Sequence, residues 1–363
     1  MAMNSHIRRC SRCIIPETVP GITFDEAGVC SLCCAYVAPH KSREEMELRG
    51  LIEESRIPTN QYDCVVPLSG GRDSSFVLYM AVKRYGLRVL AVNYDNEFQT
   101  DQTPVNIENA CRCLGVELLR VRSRWNIASK ITRASVRGAL PYGLGAITDD
   151  MCAACAFGYI SAAYRAAEHY RTPLILWGHA SVEHTDRMLK TLAVKHRRLT
   201  RREKLLNFEY YKAQAYGLLQ RCEFPVPGNR VLSRKRVRLK NETIREIRLF
   251  DYLSWDREEI KRTIIGELGW QKPAGYVSTW RTDCKLHELM NYCWLREFGC
   301  TKDCFGHCNM INAGQMSRSE ALEQEEQMAV ACERGAQQVL REDLNLTEAE
   351  LAPIMSRAEP ATD

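Results

Sequence analysis

The sequence lacks the features of a membrane or secreted protein. None of its apolar runs approaches the length of a membrane span. The basic residues near its N-terminus are not followed by the apolar region of a signal peptide. Internal repeats and low-complexity segments are also missing. We therefore expect a cytoplasmic globular protein without a membrane partner.

A strong net charge is missing as well. The 363 residues carry a formal charge of +5, with 45% apolar and 26% charged residues, which is ordinary for a soluble protein. This length allows one large or two medium-sized domains. The mild charge permits an anionic substrate such as a nucleotide or RNA but does not require one. Two basic runs, at 195–204 and 230–248, are interpreted as solvated faces, and a phosphate-binding surface is the alternative.

The glycine-rich segment of the chain is not a Walker A motif, which needs a longer loop and a Gly-Lys-Ser/Thr ending. An apolar run at 64–68 predicts a buried strand. It leads into Ser69-Gly70-Gly71-Arg72-Asp73-Ser74-Ser75, and a helix is predicted to begin at Phe76. Two glycines let the backbone approach a phosphate closely, and the first N–H groups of a helix attract its charge. The segment therefore predicts a phosphate-binding loop.

This loop resembles the PP-loop of the ATP pyrophosphatases, also called adenine nucleotide alpha hydrolases. In that family the loop holds the pyrophosphate of ATP, and AMP is transferred to a substrate oxygen. The resemblance implies ATP and Mg²⁺ as cofactors, with Asp73 as a catalytic residue and a supporting magnesium ligand. The implied ATP-binding residues are Ser69, Gly70, Gly71, Arg72, Asp73, Ser74, Ser75, Asn93, Asp95, Gly178 and His179. The last four lie at the ends of predicted strands, where open parallel sheets bind ligands.

The predicted fold class is α/β. Strands at 64–68, 88–95, 116–121 and 173–178 alternate with helical patterns, which predicts a doubly wound parallel sheet of the HUP/PP-loop type. We divide the chain into three regions. They are a zinc-ribbon-like module at 1–40, a PP-loop ATP pyrophosphatase domain at 60–250, and a mostly helical C-terminal region at 251–363 that completes the site.

Seventeen cysteines are many for a cytosolic protein, and there they indicate metal or redox ligands rather than disulfides. Cys10, Cys13, Cys30 and Cys33 form two Cys-x-x-Cys pairs separated by sixteen residues, within the range of a zinc ribbon. Two such pairs can present four thiolates tetrahedrally to zinc. We predict a structural zinc site, with free surface thiols as the alternative.

Both ends of the chain resemble the N-acetyl sugar amidotransferases of surface-polysaccharide biosynthesis. The shared elements are Phe24-Asp25-Glu26-Ala27-Gly28-Val29-Cys30 near the start and, as in closely related PP-loop proteins, Trp280-Arg281-Thr282-Asp283-Cys284. The resemblance implies nitrogen transfer, in which ammonia from a glutaminase converts an acetamido group to an acetamidino group. Since the chain has no recognisable glutaminase domain, a separate glutaminase subunit would be the partner.

The centre of the chain is more similar to the tRNA thiolases of the same superfamily. Cys152 and Cys155 open a predicted helix, and the next strand ends in Gly178-His179. In the thiolases two such cysteines and a later third, here Cys284, either hold a [4Fe-4S] cluster or handle a persulfide. The resemblance implies that Cys152, Cys155 and Cys284 are catalytic or iron-sulfur ligands, and buried inert cysteines are the alternative.

Two features bear on this comparison. The thiolases usually continue with Asn after Gly-His, whereas this chain has Ala180, with Glu183, His184 and Asp186 beyond it. A helix N-terminus is expected to lower the pKa of the cysteine thiols there.

A further run, Cys300, Cys304 and Cys308 beside His307, could bind metal, but we interpret it as chance in a cysteine-rich chain.

The preferred hypothesis is ATP-dependent adenylation of a substrate carbonyl oxygen followed by its replacement with sulfur. The alternative replaces the oxygen with nitrogen. A third hypothesis, a non-enzymatic nucleic-acid module, leaves the PP-loop without a role. The expected substrate is a small heterocycle, a nucleotide or a tRNA base. A tRNA substrate is not favoured. A sulfur-donor protein would be the partner in sulfur transfer, and a homodimer is compatible with the sequence.

Overall fold

A computed structural model describes residues 7–36, 43–179, 202, 206–223, 238–239 and 242–355. Most of the basic run at 195–204, the first part of the run at 230–248, and Glu183, His184 and Asp186 lie outside the described residues. Among the residues it describes, no helix combines the length and the apolar character that crossing a membrane requires.

A parallel sheet of five strands forms the centre of the protein. The strands in chain order are β1 (Cys64–Pro67), β2 (Val89–Asp95), β3 (Glu117–Arg122), β4 (Leu174–Trp177), the two-residue strands β5 (Arg238–Leu239) and β6 (Glu242–Thr243), and β7 (Arg245–Arg248). The sheet has the order β3-β2-β1-β4-β7, and β5 and β6 form a separate two-stranded sheet. All neighbouring strands of the large sheet are parallel. The predicted doubly wound parallel sheet is confirmed.

Helices surround this sheet and make up most of the C-terminal region. They are α1 (Ser31–Cys34), α2 (Glu45–Ser55), α3 (Arg72–Tyr79), α4 (Gln102–Leu114), α5 (Ile127–Ala139), α6 (Leu144–Asp150), α7 (Ala153–His169), α8 (Phe208–Glu223), α9 (Arg257–Leu268), α10 (Leu286–Phe298), α11 (Cys304–Asn312), α12 (Arg318–Gln338) and α13 (Glu348–Met355). Short π-helical turns continue α3 and α12. The predicted helical character of the C-terminal region is confirmed.

The order of the strands places a crevice at the end of β1. The chain leaves β1 toward β2 on one side and reaches β4 on the other, so β1 and β4 flank the point where the strand order reverses. The first strand is fully buried along Cys64, Val65 and Val66. Ligands of open α/β sheets bind outside the carboxyl ends of the strands at such a point. The loop after β1 is the predicted phosphate-binding segment.

The helix starts follow local capping chemistry. The carboxylate of Asp256 accepts a hydrogen bond from the Glu259 backbone N–H at 2.8 Å, which caps the start of α9. Ser317 caps α12 in the same way through the Glu320 N–H at 3.1 Å. Helix α3 begins at Arg72, four residues before the predicted start, because Gly71 already serves as its extended N-cap residue.

The N-terminal module packs on the C-terminal helices. Arg9 donates to the Gly299 carbonyl at 2.8 Å, and Arg318, in the first turn of α12, donates to the Cys13 carbonyl at 2.9 Å. Buried side chains from the module, the sheet and helices α10–α12 belong to one continuous hydrophobic core. The first and last parts of the chain are therefore neighbours in the fold.

Candidate active site

The loop after β1 has the geometry of an anion site. Gly70 has φ +85°, and a Cβ there would lie 2.9 Å from the Thr103 carbonyl oxygen, so both conformation and space require glycine. The indole N–H of Trp270 donates to the Gly70 carbonyl at 3.0 Å. The loop is thereby held so that the N-terminus of α3 points into the crevice, where its N–H groups favour an anion.

Three serines of the loop have two different roles. The Ser69 and Ser74 hydroxyls lie 3.0 Å apart near the surface. Ser75 is fully buried, and its hydroxyl donates to the Gly71 carbonyl at 2.8 Å. Ser74 also donates to the Gly71 carbonyl, at 3.2 Å, so Ser74 and Ser75 both hold the first turn of α3. Contact of Ser69 and Ser74 with a phosphate stays a prediction.

Arg72 and Asp73 form a buried ion pair. The Arg72 guanidinium donates to Asp73 Oδ1 at 3.1 Å and to Oδ2 at 2.9 Å, and it lies over the rings of Trp255 and Trp280. Trp255 also donates its indole N–H to Asp73 Oδ1 at 3.0 Å. Cation–π contact and a bidentate carboxylate together fix the guanidinium. The direct roles predicted for this pair, in binding ATP and magnesium, stay predictions.

Residues at the ends of β2 and β4 border the same loop. Asn93 donates to the Leu68 carbonyl at 2.9 Å, which ties the end of β2 to the start of the loop. Asp95 accepts from the Glu97 N–H at 2.8 Å. A Cβ at Gly178 would lie 3.2 Å from the Ser74 backbone nitrogen, so β4 ends in contact with the first turn of α3.

His179 is exposed beside this contact. Its ring centre lies 5.6 Å from that of Trp177 and 6.2 Å from that of Tyr159. The residues predicted to bind ATP at the strand ends are thus all at one edge of the sheet. Their contact with a nucleotide stays a prediction.

The structure brings the second pair of cysteines together with Cys284. Asn96, just beyond β2, donates its amide N–H groups to Cys155 Sγ at 3.5 Å and to Cys284 Sγ at 3.3 Å. Cys152 interacts electrostatically with both of these thiols. Cys155 lies in α7 and Cys284 in a segment more than a hundred residues later, yet these two thiols meet at one amide, while Cys152 is the N-cap residue of α7.

Backbone pairing carries Cys284 to this position. Lys285 donates its N–H to the Phe98 carbonyl at 2.8 Å, and Cys284 forms an isolated antiparallel bridge with Gln99. Thr100 donates its hydroxyl to the Thr282 carbonyl at 2.9 Å. The segment at 282–285 is therefore paired with the chain that follows β2.

Burial raises the pKa of the thiols at this site. Loss of hydration raises the pKa of Cys155 to about 12, and it also raises the pKa of Cys284 well above its ordinary value. The expectation that the start of α7 would lower the pKa is wrong for Cys155. A positively charged group bound to these sulfurs would reverse the effect and favour the thiolates.

The distances between sulfur atoms distinguish Cys152, Cys155 and Cys284 from a site for a single ion. Within the part of the chain that the structure describes, only Cys10, Cys13, Cys30 and Cys33 form a group whose ligand atoms all lie within 4.8 Å of one another. At least one pair among the sulfur atoms of Cys152, Cys155 and Cys284 is therefore more than 4.8 Å apart.

Asp283 is a further candidate that the sequence patterns did not single out as a site residue. A Cβ at Gly71 would lie 3.2 Å from Asp283 Oδ2, so this carboxylate faces the glycine-rich loop after β1. It also interacts electrostatically with Cys155 and Cys284. Asp283 therefore lies between the loop and the thiols. The available signal was its place in the shared Trp280–Cys284 element, directly before Cys284.

The N-terminal cysteines form the second candidate centre. Cys10, Cys13, Cys30 and Cys33 are all buried, with Cys13 Sγ 3.7 Å from Cys30 Sγ and Cys10 Sγ 4.0 Å from Cys33 Sγ. Two thiolates on one tetrahedral zinc, with Zn–S distances of about 2.3 Å, lie about 3.8 Å apart. The four thiols therefore fit a metal such as zinc, as predicted.

Cys308, which the sequence pattern attributes to chance together with Cys300 and Cys304, lies beside this centre. Its Sγ is 3.8 Å from Cys33 Sγ, and Asn312 donates to both sulfurs, at 3.2 Å for Cys33 and 3.5 Å for Cys308. Spacing along α11 could not indicate this contact, because its partner is 275 residues away in the chain.

Comparison with known proteins adds little to this description. No protein-family model and no curated protein matches the sequence. One solved structure that matches is that of NMN synthetase from Francisella tularensis, with 12% sequence identity and a TM-score of 0.34. The match covers 86% of this chain and 98% of the other.

Proposed function

We propose that the protein adenylates a substrate carbonyl oxygen with ATP and then replaces that oxygen with sulfur. The observation that carries the proposal is the meeting of Cys155 and Cys284 at Asn96, with Asp283 between them and the phosphate-binding loop. An activating loop and a set of thiols at one edge of the sheet suit two consecutive steps on one substrate.

In the first step the substrate oxygen attacks the α-phosphorus of ATP. A P–O bond to the substrate forms, the bond to the pyrophosphate breaks, and pyrophosphate leaves. The N-terminus of α3 and the hydroxyls of Ser69 and Ser74 would hold the leaving pyrophosphate. Asp283 and Asp73 offer carboxylate oxygens, which are the ligands that Mg²⁺ prefers.

In the second step a sulfur nucleophile attacks the activated carbon. The C–S bond forms, the C–O bond breaks, and AMP leaves with the original oxygen. Cys152, Cys155 and Cys284 would hold the sulfur donor, and the Asn96 amide would orient two of these sulfurs. An iron-sulfur cluster on these thiols, when bound, would supply a site for hydrosulfide. The alternative is a persulfide on one cysteine, loaded by a persulfide-carrying donor. Its outer sulfur would bond to the carbon, and the thiol of a second cysteine would then break the S–S bond, which leaves a disulfide that an external thiol must reduce before the next turnover.

Isotopically labelled sulfide and ammonium distinguish the sulfur and nitrogen hypotheses. The protein is purified without oxygen, assayed for iron and acid-labile sulfide, and incubated with ATP, Mg²⁺ and a mixture of nucleotides, sugar nucleotides and tRNA. Mass spectrometry then follows each label into products. We expect sulfur label in one product class and none in the Cys155→Ser or Cys284→Ser variants.

A buried thiol elsewhere provides the matched control. Cys111 of α4 is buried, and its pKa is raised chiefly by that burial, so Cys111→Ser should leave the labelling unchanged. Incorporation of ammonium instead of sulfide would establish the amidotransferase alternative. Sulfur labelling that survives in the Cys155 and Cys284 variants would remove these thiols from the mechanism.

A further inference from the structure

Trp125 lies in a turn whose backbone is strained. The turn follows β3, and in it Trp125 has φ +55° and ψ +25° while the next residue, Asn126, has φ +52°. Left-handed backbone is unfavourable for residues other than glycine, and for a bulky side chain it is a clear outlier. Strain of this kind persists only where the surrounding contacts fix the chain, and it is concentrated at functional sites.

The side chain of Trp125 is also 67% exposed, so burial does not offset the strain. A tryptophan stabilises a fold by burying its large apolar surface, and this one leaves most of that surface in water. Glycine at this position would adopt the same backbone without strain and without an exposed ring. Neither backbone preference nor core packing therefore explains a tryptophan here.

The hydrogen bonds that hold this turn place it beside the thiols of the candidate active site. The Ser123 hydroxyl donates to Glu97 Oε1 at 3.0 Å, and the Ser129 N–H donates to Glu97 Oε2 at 3.3 Å. Glu97, itself at φ +70°, directly follows Asn96, whose amide contacts two of the thiols. Two residues of chain, at most about 7 Å, separate Ser123 from Trp125.

The other end of the turn is tied to the helix that carries the cysteines. Ile127, two residues after Trp125, is buried in a small hydrophobic cluster that also contains Ala154. Ala154 directly precedes Cys155 in α7. Trp125 is thus an exposed aromatic residue between two attachments to the site, at the carboxyl ends of the strands, where open sheets bind ligands.

We propose that Trp125 binds the substrate by stacking on a planar heteroaromatic ring, an inference that rests on the proposed function. An exposed indole presents a flat π-surface, and every nucleic-acid base has a π-face that can stack on it. Because hydrogen bonds hold the turn on both sides, the backbone that carries the indole is ordered before the ligand arrives, which lowers the entropic cost of binding. The substrate is then a heterocycle, free or as the base of a nucleotide or tRNA, rather than an acetamido sugar.

Binding measurements test this proposal without requiring sulfur transfer. The ATP site is filled with α,β-methylene ATP and Mg²⁺, and calorimetry then measures the affinities for UMP, CMP, GMP, total tRNA and, as a probe without an aromatic ring, N-acetylglucosamine 1-phosphate. We expect a ring-containing probe to bind the wild-type chain, to bind Trp125→Gly about tenfold more weakly, and to bind Trp125→Phe within about threefold of wild type. A mononucleotide or the tRNA as that probe identifies the source of the ring.

Equal affinities of the wild-type chain and Trp125→Gly for every ring-containing probe, including no detectable binding to either, would overturn the proposal. A loss of affinity for N-acetylglucosamine 1-phosphate instead would overturn it as well, because the indole would then bind a sugar.

Arg171→Gly is the matched control for strain. Arg171 is exposed, has φ +54°, and lies just before β4, at the opposite edge of the sheet. Glycine relieves the same backbone strain at both positions, so both variants should melt at or above the wild-type temperature, and only Trp125→Gly should lose affinity for the ring. A lower melting temperature in Trp125→Gly alone would show that the indole stabilises the fold and would overturn the proposal.

The sulfur-labelling assay separates this inference from the proposed function. Ring binding that depends on Trp125, without any labelled product, would overturn sulfur transfer and leave the stacking role in place. Labelled product formed at the same rate by the wild-type chain and Trp125→Gly at low substrate concentration would overturn the stacking role and leave sulfur transfer in place.

Discussion

Replacing Gly178 with alanine tests whether the end of β4 supports the phosphate-binding loop. A Cβ at this position would lie 3.2 Å from both Cα and N of Ser74 and 3.3 Å from the carbonyl carbon of Asp73. These atoms belong to the backbone of the first turn of α3, which cannot rotate away as a long side chain could. Alanine there must therefore displace β4 or the loop.

Overpacking of this kind costs about 1–3 kcal/mol of folding free energy. If the loop moves, its N–H groups no longer point at the phosphate, and we expect ATP affinity to fall about tenfold, which is about 1.4 kcal/mol. Urea unfolding measures the first effect and isothermal titration calorimetry with ATP and Mg²⁺ measures the second.

Gly266 is the control for this substitution. It lies inside α9, and an added Cβ would meet no heavy atom within 4 Å beyond the backbone of its own helix. Gly266→Ala should therefore leave ATP binding unchanged and stabilise the helix by up to about 1 kcal/mol. Wild-type stability and ATP affinity in Gly178→Ala would refute the packing argument.

Three further perturbations test other parts of the account. Burial raises the pKa of Glu288 from 4.5 to about 7, so the folded chain holds a proton that the unfolded chain has lost, and stability should fall as pH rises from 4.5 to about 7. Glu288→Gln should remove this pH dependence and should be about 1–2 kcal/mol more stable than wild type above pH 7, a magnitude that is reduced because Glu288 is partly exposed. Urea titrations at several pH values measure this difference. A strong chelator should remove one zinc per chain and lower the melting temperature by several degrees, whereas Cys113→Ser, at an exposed thiol, should change neither zinc content nor melting temperature. Asp283→Asn should lower AMP formation while zinc content and the melting temperature stay at wild-type values, and an unchanged rate of AMP formation would exclude a role for this carboxylate.

Local patterns in the sequence predicted the elements that depend on near neighbours. The apolar run before Ser69 and the two glycines after it specify a strand and a tight loop, because these properties depend on adjacent residues. The spacing of Cys10, Cys13, Cys30 and Cys33 likewise indicates one site, since each pair forms a single turn. The sheet followed from the alternation of strand and helix patterns.

Contacts between distant segments were not predictable in this way. The Trp255 and Trp280 rings that enclose Arg72 come from about 180 to 210 residues further along the chain, and no periodicity connects them. Asn96 is one of several polar residues that follow β2, and nothing in the sequence distinguishes it from the others. Its contact with two thiols depends on the fold. Tertiary packing also decided the pKa of Cys155, for which burial outweighs the helix N-terminus.

The central claim joins cleavage of ATP at the α-phosphate to sulfur transfer at one site. The most direct measurement counts AMP, pyrophosphate and incorporated labelled sulfur in a single reaction of the anaerobically purified protein. We expect equal amounts of all three, and loss of all three when Ser69 and Ser74 are both replaced by alanine. Formation of ADP and phosphate, or of AMP with labelled ammonium rather than sulfur in the product, would contradict it.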